Sequence, residues 1–386
     1  MSVRILRGDC REVLRSLPDE SVHCVVTSPP YWGLRDYGVD GQIGLEPTFE
    51  KFIVEMTDVF RDVRRVLRSD GTCWVNMGDS YNTGTTSGRK PTTAGKHGYW
   101  ENPAIAHRIN ANAFGLKPKD LVGIPWRVAF ALQADGWYLR QDIIWSKPNP
   151  MPESVRDRCT KAHEYIFLLS KGPRYHYDAD AIREPFADAS IERLRQNIAN
   201  QKGSDRVQGK TNGPMKAVGL NANRSSYRPG TASNTDGAEH IKKSDAGLPL
   251  NESGRNKRSV WEVTTVGYSE AHFATFPPDL VEPCILAGTS AHGVCPVCGA
   301  PWVRILDRHH AGDFRKGRRH LDLVEGKNVG FPPFSQAVAP KTLGWRSTCC
   351  CAGSRDAVPA IVLDPFAGSG TTGAVARKHS RRFVGL

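Results

Sequence analysis

Short apolar runs alternate with longer stretches of helical periodicity along this chain, and few folds accommodate that pattern. Val22-His23-Cys24-Val25-Val26 reads as a buried strand stopped by Thr27-Ser28-Pro29-Pro30-Tyr31. From Phe49 to Leu67 the apolar residues fall every three or four positions with a polar opposite face, which predicts a helix. Ser69-Asp70-Gly71 is expected to end it, and Thr72–Met77 to form the next strand. Asp120 to Ala134 reads as helix, Trp137 to Trp145 and Tyr165 to Leu169 as strands. Ile361-Val362-Leu363 and Phe383–Leu386 read as strands around a helix over Thr371–Lys378. Strands alternating with amphipathic helices predict an α/β domain, a Rossmann-like and largely parallel sheet with helices on both faces.

Three stretches break the pattern. Residues 80–115 are rich in Gly, Thr, Asn and Lys without periodicity. Residues 187–258 carry +6 of the chain's net +12 in a segment with no core pattern. Residues 291–356 hold five of the ten cysteines and the basic run from Arg308 to His320. A concentrated basic excess favours a polyanionic partner, nucleic acid first. No apolar run reaches the ~20 residues needed to span a bilayer, and Met1–Leu6 lacks the form of a secretory signal, so the expected location is cytoplasmic, without membrane association. Five scattered cysteines among mostly apolar neighbours suit a reducing compartment.

Two turns carry candidate chemistry. Asp364-Pro365-Phe366-Ala367-Gly368-Ser369-Gly370-Thr371 follows an apolar strand and opens a helix. Its glycines allow close backbone approach to a ligand, next to free helix N–H donors. No Gly-Lys-Ser/Thr follows, which excludes a P-loop, and the glycine spacing does not match the dinucleotide fingerprint. Thr27-Ser28-Pro29-Pro30-Tyr31 is a rigid strand end that presents carbonyl acceptors, a hydroxyl and an aromatic face, a group suited to a flat ring bearing an amine. Separately, Cys295-Pro296-Val297-Cys298 is a C-x-x-C knuckle, and Cys349-Cys350-Cys351 offers a second pair. Cys349 and Cys351 are the expected ligands there, because adjacent side chains converge poorly on one ion. The predicted ion is a structural zinc, stapling an insertion that lacks its own core. His309, His310 and His320 are alternative donors.

Together the two turns resemble the catalytic and cofactor motifs of the amino-group DNA methyltransferases, in the β-class order with the catalytic motif first. Leu6–Cys10, Trp145–Asn149, Ala162–Ile166 and His272–Pro277 resemble further segments of that family. The resemblance spans about 1–80, 116–185, 259–290 and 360–386. It implies S-adenosylmethionine as methyl donor and duplex DNA as partner, the target base being flipped out and its amine attacking the methyl directly. Ser28, Pro29, Pro30 and Tyr31 would hold the amine and stack on the base; Asp9, Phe276, Asp364, Phe366, Gly368, Gly370 and Thr371 would surround the cofactor. Serine before the prolines resembles the cytosine-N4 enzymes, with adenine-N6 methylation the alternative. A catalytically impaired DNA-binding relative and an RNA or small-molecule methyltransferase stay open as well.

The implied organisation is a catalytic half over 1–186 with a loop insertion at 80–115, a target-recognition insert over 187–258 and a cofactor-side segment over 259–290. A zinc-binding insertion over 291–356 and the cofactor turn with its following strand over 357–386 complete it. Arg193, Lys202, Arg206 and Lys210 are the expected phosphate contacts. A second copy of the chain and a restriction endonuclease of the same system are further partners that the family admits. In the family an acidic residue and a helix normally follow the last strand; this sequence ends at Leu386, so either the core is truncated, which would put its activity in doubt, or that acid is expected from elsewhere, such as a partner chain.

Overall fold

The computed structural model describes residues 2–34, 36–82, 115–187, 254–265, 276–306, 342–351 and 356–386. Met1–Ile182, Arg258–Val303 and Trp345–Leu386 form one compact unit; Arg183–Lys257 and Arg304–Gly344 form a second. In the second, Glu184 and Arg255 exchange backbone hydrogen bonds of 2.9 and 2.8 Å. No helix among the described residues is long and apolar enough to cross a membrane.

The first unit is built on an eight-stranded sheet. Its strands are β1 (Val3–Ile5), β2 (Val22–Thr27), β3 (Leu67–Met77), β4 (Tyr138–Ser146), β5 (His163–Ser170), β6 (Val260–Glu262), β9 (Ile361–Asp364) and β10 (Arg382–Gly385). The short strands β7 (Trp302–Leu306) and β8 (Thr342–Ser347) pair separately. Helices are α1 (Cys10–Ser16), α2 (Phe49–Val66), α3 (Ile124–Ala134), α4 (Pro278–Gly288) and α5 (Thr371–Lys378).

Strand order is β1-β10-β9-β2-β3-β5-β4-β6. All neighbours from β1 to β3 are parallel, as is β4 with β6, whereas β5 runs antiparallel to both β3 and β4. The exception has a simple cause. No helix separates β4 from β5 in the chain, and strands joined by a loop alone can pair antiparallel, while parallel neighbours need a crossover.

Both faces of the sheet are covered. Along β2 and β3, Val25, Cys73, Val75 and Met77 pack with α1, α2 and α3, while Cys24, Val26 and Trp74 pack with α4 and α5. Period-two alternation between two buried faces explains why these strands read as continuous apolar runs.

Two expectations need correction. The helix foreseen from Asp120 begins at Ile124, because Gly123 sits in the left-handed region at φ 78° and Pro125 occupies its first turn. The Asp79 carboxylate accepts the N–H of Gly123 and Ile124 there, at 2.9 and 3.0 Å. Ser69-Asp70-Gly71 does not end α2; the helix gives way at Leu67 to strand, and residues 68–71 form an irregularity in the β2–β3 pairing. Five short elements, β1, α1, β6, β7 and β8, had no clear signal in the apolar pattern.

Candidate active site

Strand order locates the site. From β9 the chain passes through α5 to β10 on one side, and from β2 through α2 to β3 on the other, yet β9 and β2 are direct neighbours. The connections therefore diverge at that pair and leave a crevice outside its carboxyl ends, the place where open α/β sheets bind ligands. A cavity of ≈ 390 Å³ opens there. Around it stand Gly8–Arg11 after β1, Ser28–Tyr31 after β2, Pro365–Ser369 after β9 and Phe276 just before α4.

Asp9, Ser28, Pro29, Pro30, Tyr31, Phe276, Phe366 and Gly368 thus meet around one space. Asp364, Gly370 and Thr371 do not line it. Asp364 lies beneath, wholly buried. Its carboxylate accepts from Thr27 Oγ1 at 2.6 Å, Thr372 Oγ1 at 2.8 Å and Phe366 N at 3.1 Å. It therefore latches the end of β2 to the start of α5 and holds the turn above it. Burial pushes this carboxyl up to about 6 despite the three donors. Gly368 (φ 50°) and Gly370 (φ 78°) adopt the left-handed conformation that the turn requires.

Asp9 caps α1 by accepting Arg11 N at 2.9 Å and also pairs with the Arg11 guanidinium, whose other arm reaches Glu55 at 2.6 Å. The Arg11 hydrogen bonds hold the Asp9 carboxyl below its usual range. That turn carries a charged rim on one side of the cavity, whereas Phe276 and Phe366 supply apolar wall.

A polar network supports the Ser-Pro-Pro-Tyr end. Asn76 Nδ2 donates to Tyr31 Oη at 3.0 Å, to Glu164 Oε2 at 3.1 Å and weakly to Ser28 Oγ at 3.4 Å. Tyr31 Oη donates to Glu164 Oε2 at 2.7 Å, and Glu164 is ion-paired with Lys147. Burial, reinforced by the Glu164 charge, raises the Tyr31 hydroxyl well above its ordinary range and keeps it a donor. The Tyr31 ring lies against Gly78, where an added Cβ would come within 2.6 Å of it. Asn76, Thr27 and Thr372 received no role from sequence reasoning, and Glu164 and Lys147 only a place in matching segments. The available signal was polarity in apolar surroundings: Asn76 interrupts Trp74-Val75-Asn76-Met77, and Lys147 and Glu164 flank strand runs.

Away from this cavity, one ligand atom each from Cys295, Cys298, Cys349 and Cys351 lies within 4.8 Å of the others. Cys350 is exposed and outside the group. Arg193, Lys202, Arg206 and Lys210 lie outside the described residues, as do His309, His310 and His320.

The architecture is thus an α/β sheet with a cavity at its switch point, flanked by a proline-rigid strand end and a glycine turn. The family model described as DNA methylase, covering the N6 and N4 amino-group enzymes, matches residues 22–295 and 358–386. The chain belongs to this family. It is 36% identical over 383 residues to the Type II methyltransferase M.Cfr9I of Citrobacter freundii, covering 99% of this chain and 82% of that one. It is 41% identical over 292 residues to the Type II methyltransferase M.SmaI of Serratia marcescens, covering 76% and 77%. With the Type II methyltransferase M.XycI of Xanthomonas campestris pv. cyanopsidis the identity is 36% over 383 residues, covering 99% and 82%.

Proposed function

We propose that this DNA methylase transfers a methyl group from S-adenosylmethionine to the exocyclic N4 amine of cytosine in duplex DNA. The observation that carries the reading is the shared cavity: the Ser28–Tyr31 end of β2 and the Pro365–Ser369 turn of β9 face one space. Its ≈ 390 Å³ lies in the usual range for small-molecule sites, about 300–1,000 Å³. The Gly368 backbone, the Phe276 and Phe366 rings and the Asp9 side of the rim are the groups that would hold the cofactor. Bound there, S-adenosylmethionine supplies an electrophilic sulfonium methyl.

The chain's own residues supply the rest. Ser28 Oγ and the Pro29 carbonyl accept N–H bonds from the amine, drawing its lone pair out of conjugation and toward the methyl. Pro30 fixes the strand end. Tyr31, tied down by Glu164 and Gly78, offers the rest of its ring to the flipped base. No covalent intermediate is needed. Tyr31 follows Pro29-Pro30 where a ring-carbon enzyme would place a nucleophilic cysteine, and Cys284 is buried inside α4, away from the cavity. A hydroxyl at position 28, rather than a carboxylate or amide, favours cytosine over adenine.

Arg193, Lys202, Arg206 and Lys210 complete the reading as phosphate contacts on the duplex. A structural zinc ion belongs on the four clustered thiolates, and a restriction endonuclease of the same system is the expected functional partner. Incubation with methyl-labelled cofactor and duplex DNA, followed by nucleoside separation, tests the reaction. Labelled N4-methylcytosine is expected; N6-methyladenine as sole product would sink the cytosine assignment.

A further inference from the structure

The four thiols sit where the family pattern is interrupted. The family model's match stops at residue 295 and resumes at 358, so Cys298, Cys349 and Cys351 lie between its two matched segments. Fifty residues separate Cys298 from Cys349, yet their sulfurs meet. All four cysteines are free of disulfides. The turn between the first two is a knuckle: Gly299 N donates to the Cys295 carbonyl at 2.9 Å, and Cys295 N to the Ala300 carbonyl at 2.8 Å. Four sulfur donors this close suit a soft divalent ion in tetrahedral coordination, with zinc the first choice.

What the knuckle touches gives the site a purpose. The Cys298 carbonyl accepts from Arg68 Nη1 at 2.6 Å, and Asp70 grips the same guanidinium at 2.8 and 3.1 Å. The Gly299 carbonyl lies 3.2 Å from His23 Nε2. His23 Nδ1 accepts the N–H of Ile361 at 3.1 Å, which leaves Nε2–H to donate to Gly299. Val294 and Val358 exchange two backbone bonds of 2.8 and 2.9 Å, closing the ends of the insertion on each other. Thr348 Oγ1 donates to the Pro301 carbonyl at 2.7 Å, joining the second cysteine pair to the segment after the first. Arg68, His23 and Ile361 stand at or near the amino ends of β3, β2 and β9, opposite the cavity.

We propose that the zinc knuckle is a clasp that seats the first residue of β9, so that metal occupancy supports the cofactor turn from the far end of the same strand. This rests on the zinc and cofactor readings above. The coupling is short: β9 has four residues, Ile361–Asp364, and at about 3.3 Å per residue its two ends are about 10 Å apart. A shift at Ile361 therefore reaches Asp364, whose carboxylate anchors Thr27, Thr372 and Phe366 N.

Two measurements on the full chain separate the clasp from the readings beneath it. Elemental analysis of protein purified without added metal should find one zinc per chain, and none in Cys349→Ser/Cys351→Ser. A metal-free, chelator-resistant fold would overturn the zinc site itself. His23→Ala and Arg68→Ala, each checked for retained zinc, should weaken S-adenosylmethionine binding in calorimetric titration and lower the melting temperature. Metal stripping of the unmodified protein should do the same. Unchanged cofactor affinity in both zinc-retaining variants and in the stripped protein would overturn the clasp while leaving the zinc count intact. Absence of cofactor binding by the unmodified chain would instead overturn the cofactor reading, and the clasp with it.

Discussion

The two ends of the central strands are built from different chemistry. At the carboxyl ends of β2 and β9 a hydroxyl, two prolines and the left-handed Gly368 border open space, with a buried carboxylate beneath them. At the amino ends a guanidinium and an imidazole are spent on Asp70 and on backbone groups, beside a cluster of four thiols. One end borders a small-molecule cavity; the other closes its arginine and histidine on protein groups beside a thiol cluster. A sheet of this kind can therefore vary its stability at one rim while keeping its reaction at the other, and substitutions at the two rims should separate turnover from stability.

The largest effect is expected from Ser28→Ala at the open rim. On the proposed reading, in which Ser28 accepts from the target amine, it should lower kcat by about 10²–10³-fold, with the melting temperature nearly unchanged. Steady-state methylation beside a thermal scan measures both. Glu164→Gln should reduce kcat by about tenfold through misplacement of Tyr31 and Ser28, because Lys147 loses its counter-ion and Tyr31 its charged acceptor. An unchanged pH–rate profile combined with a reduced kcat would mark it as a positioning residue.

At the opposite rim the balance reverses. Arg68→Ala removes the bond to the Cys298 carbonyl and should lower the melting temperature by about 2–4 °C, while kcat at saturating cofactor is retained. A fall in kcat instead of the melting temperature would erase the distinction between the rims.

The smallest expected effect is a pH dependence at Asp364. Its carboxyl is pushed up to about 6 in the folded chain, above the ordinary aspartate value of 3.8, so the folded state holds the proton more tightly. Its contribution to stability is present below about pH 4 and is lost as pH rises through about 6. Asp364→Asn should flatten that part of the melting-temperature profile, and an unchanged slope would show that another group carries it.

Much of this division was legible in the residues. The helix over Thr371–Lys378, the strand ending in Thr27 and the two turns were readable because apolar periodicity and proline or glycine punctuation are local signals. The antiparallel place of β5 was not, since it depends on pairing across the sheet. Nor was the Asn76–Glu164–Lys147 support, whose members lie 88 and 17 positions apart and meet only once β3, β5 and β4 lie side by side. Edge strands β1 and β6 span three residues each, too few to show a period. His23 looked like one polar residue in a buried strand, and its link to Gly299, 276 positions away, exists only in the fold.

Calorimetric titration of the chain with S-adenosylmethionine tests the central claim most directly, run beside Gly368→Val and Ser28→Ala. The account predicts one site per chain. Affinity should fall sharply in Gly368→Val, where a side chain is forced onto a left-handed residue at the cavity wall, and hold in Ser28→Ala. Absence of binding, or binding indifferent to Gly368→Val, would contradict it.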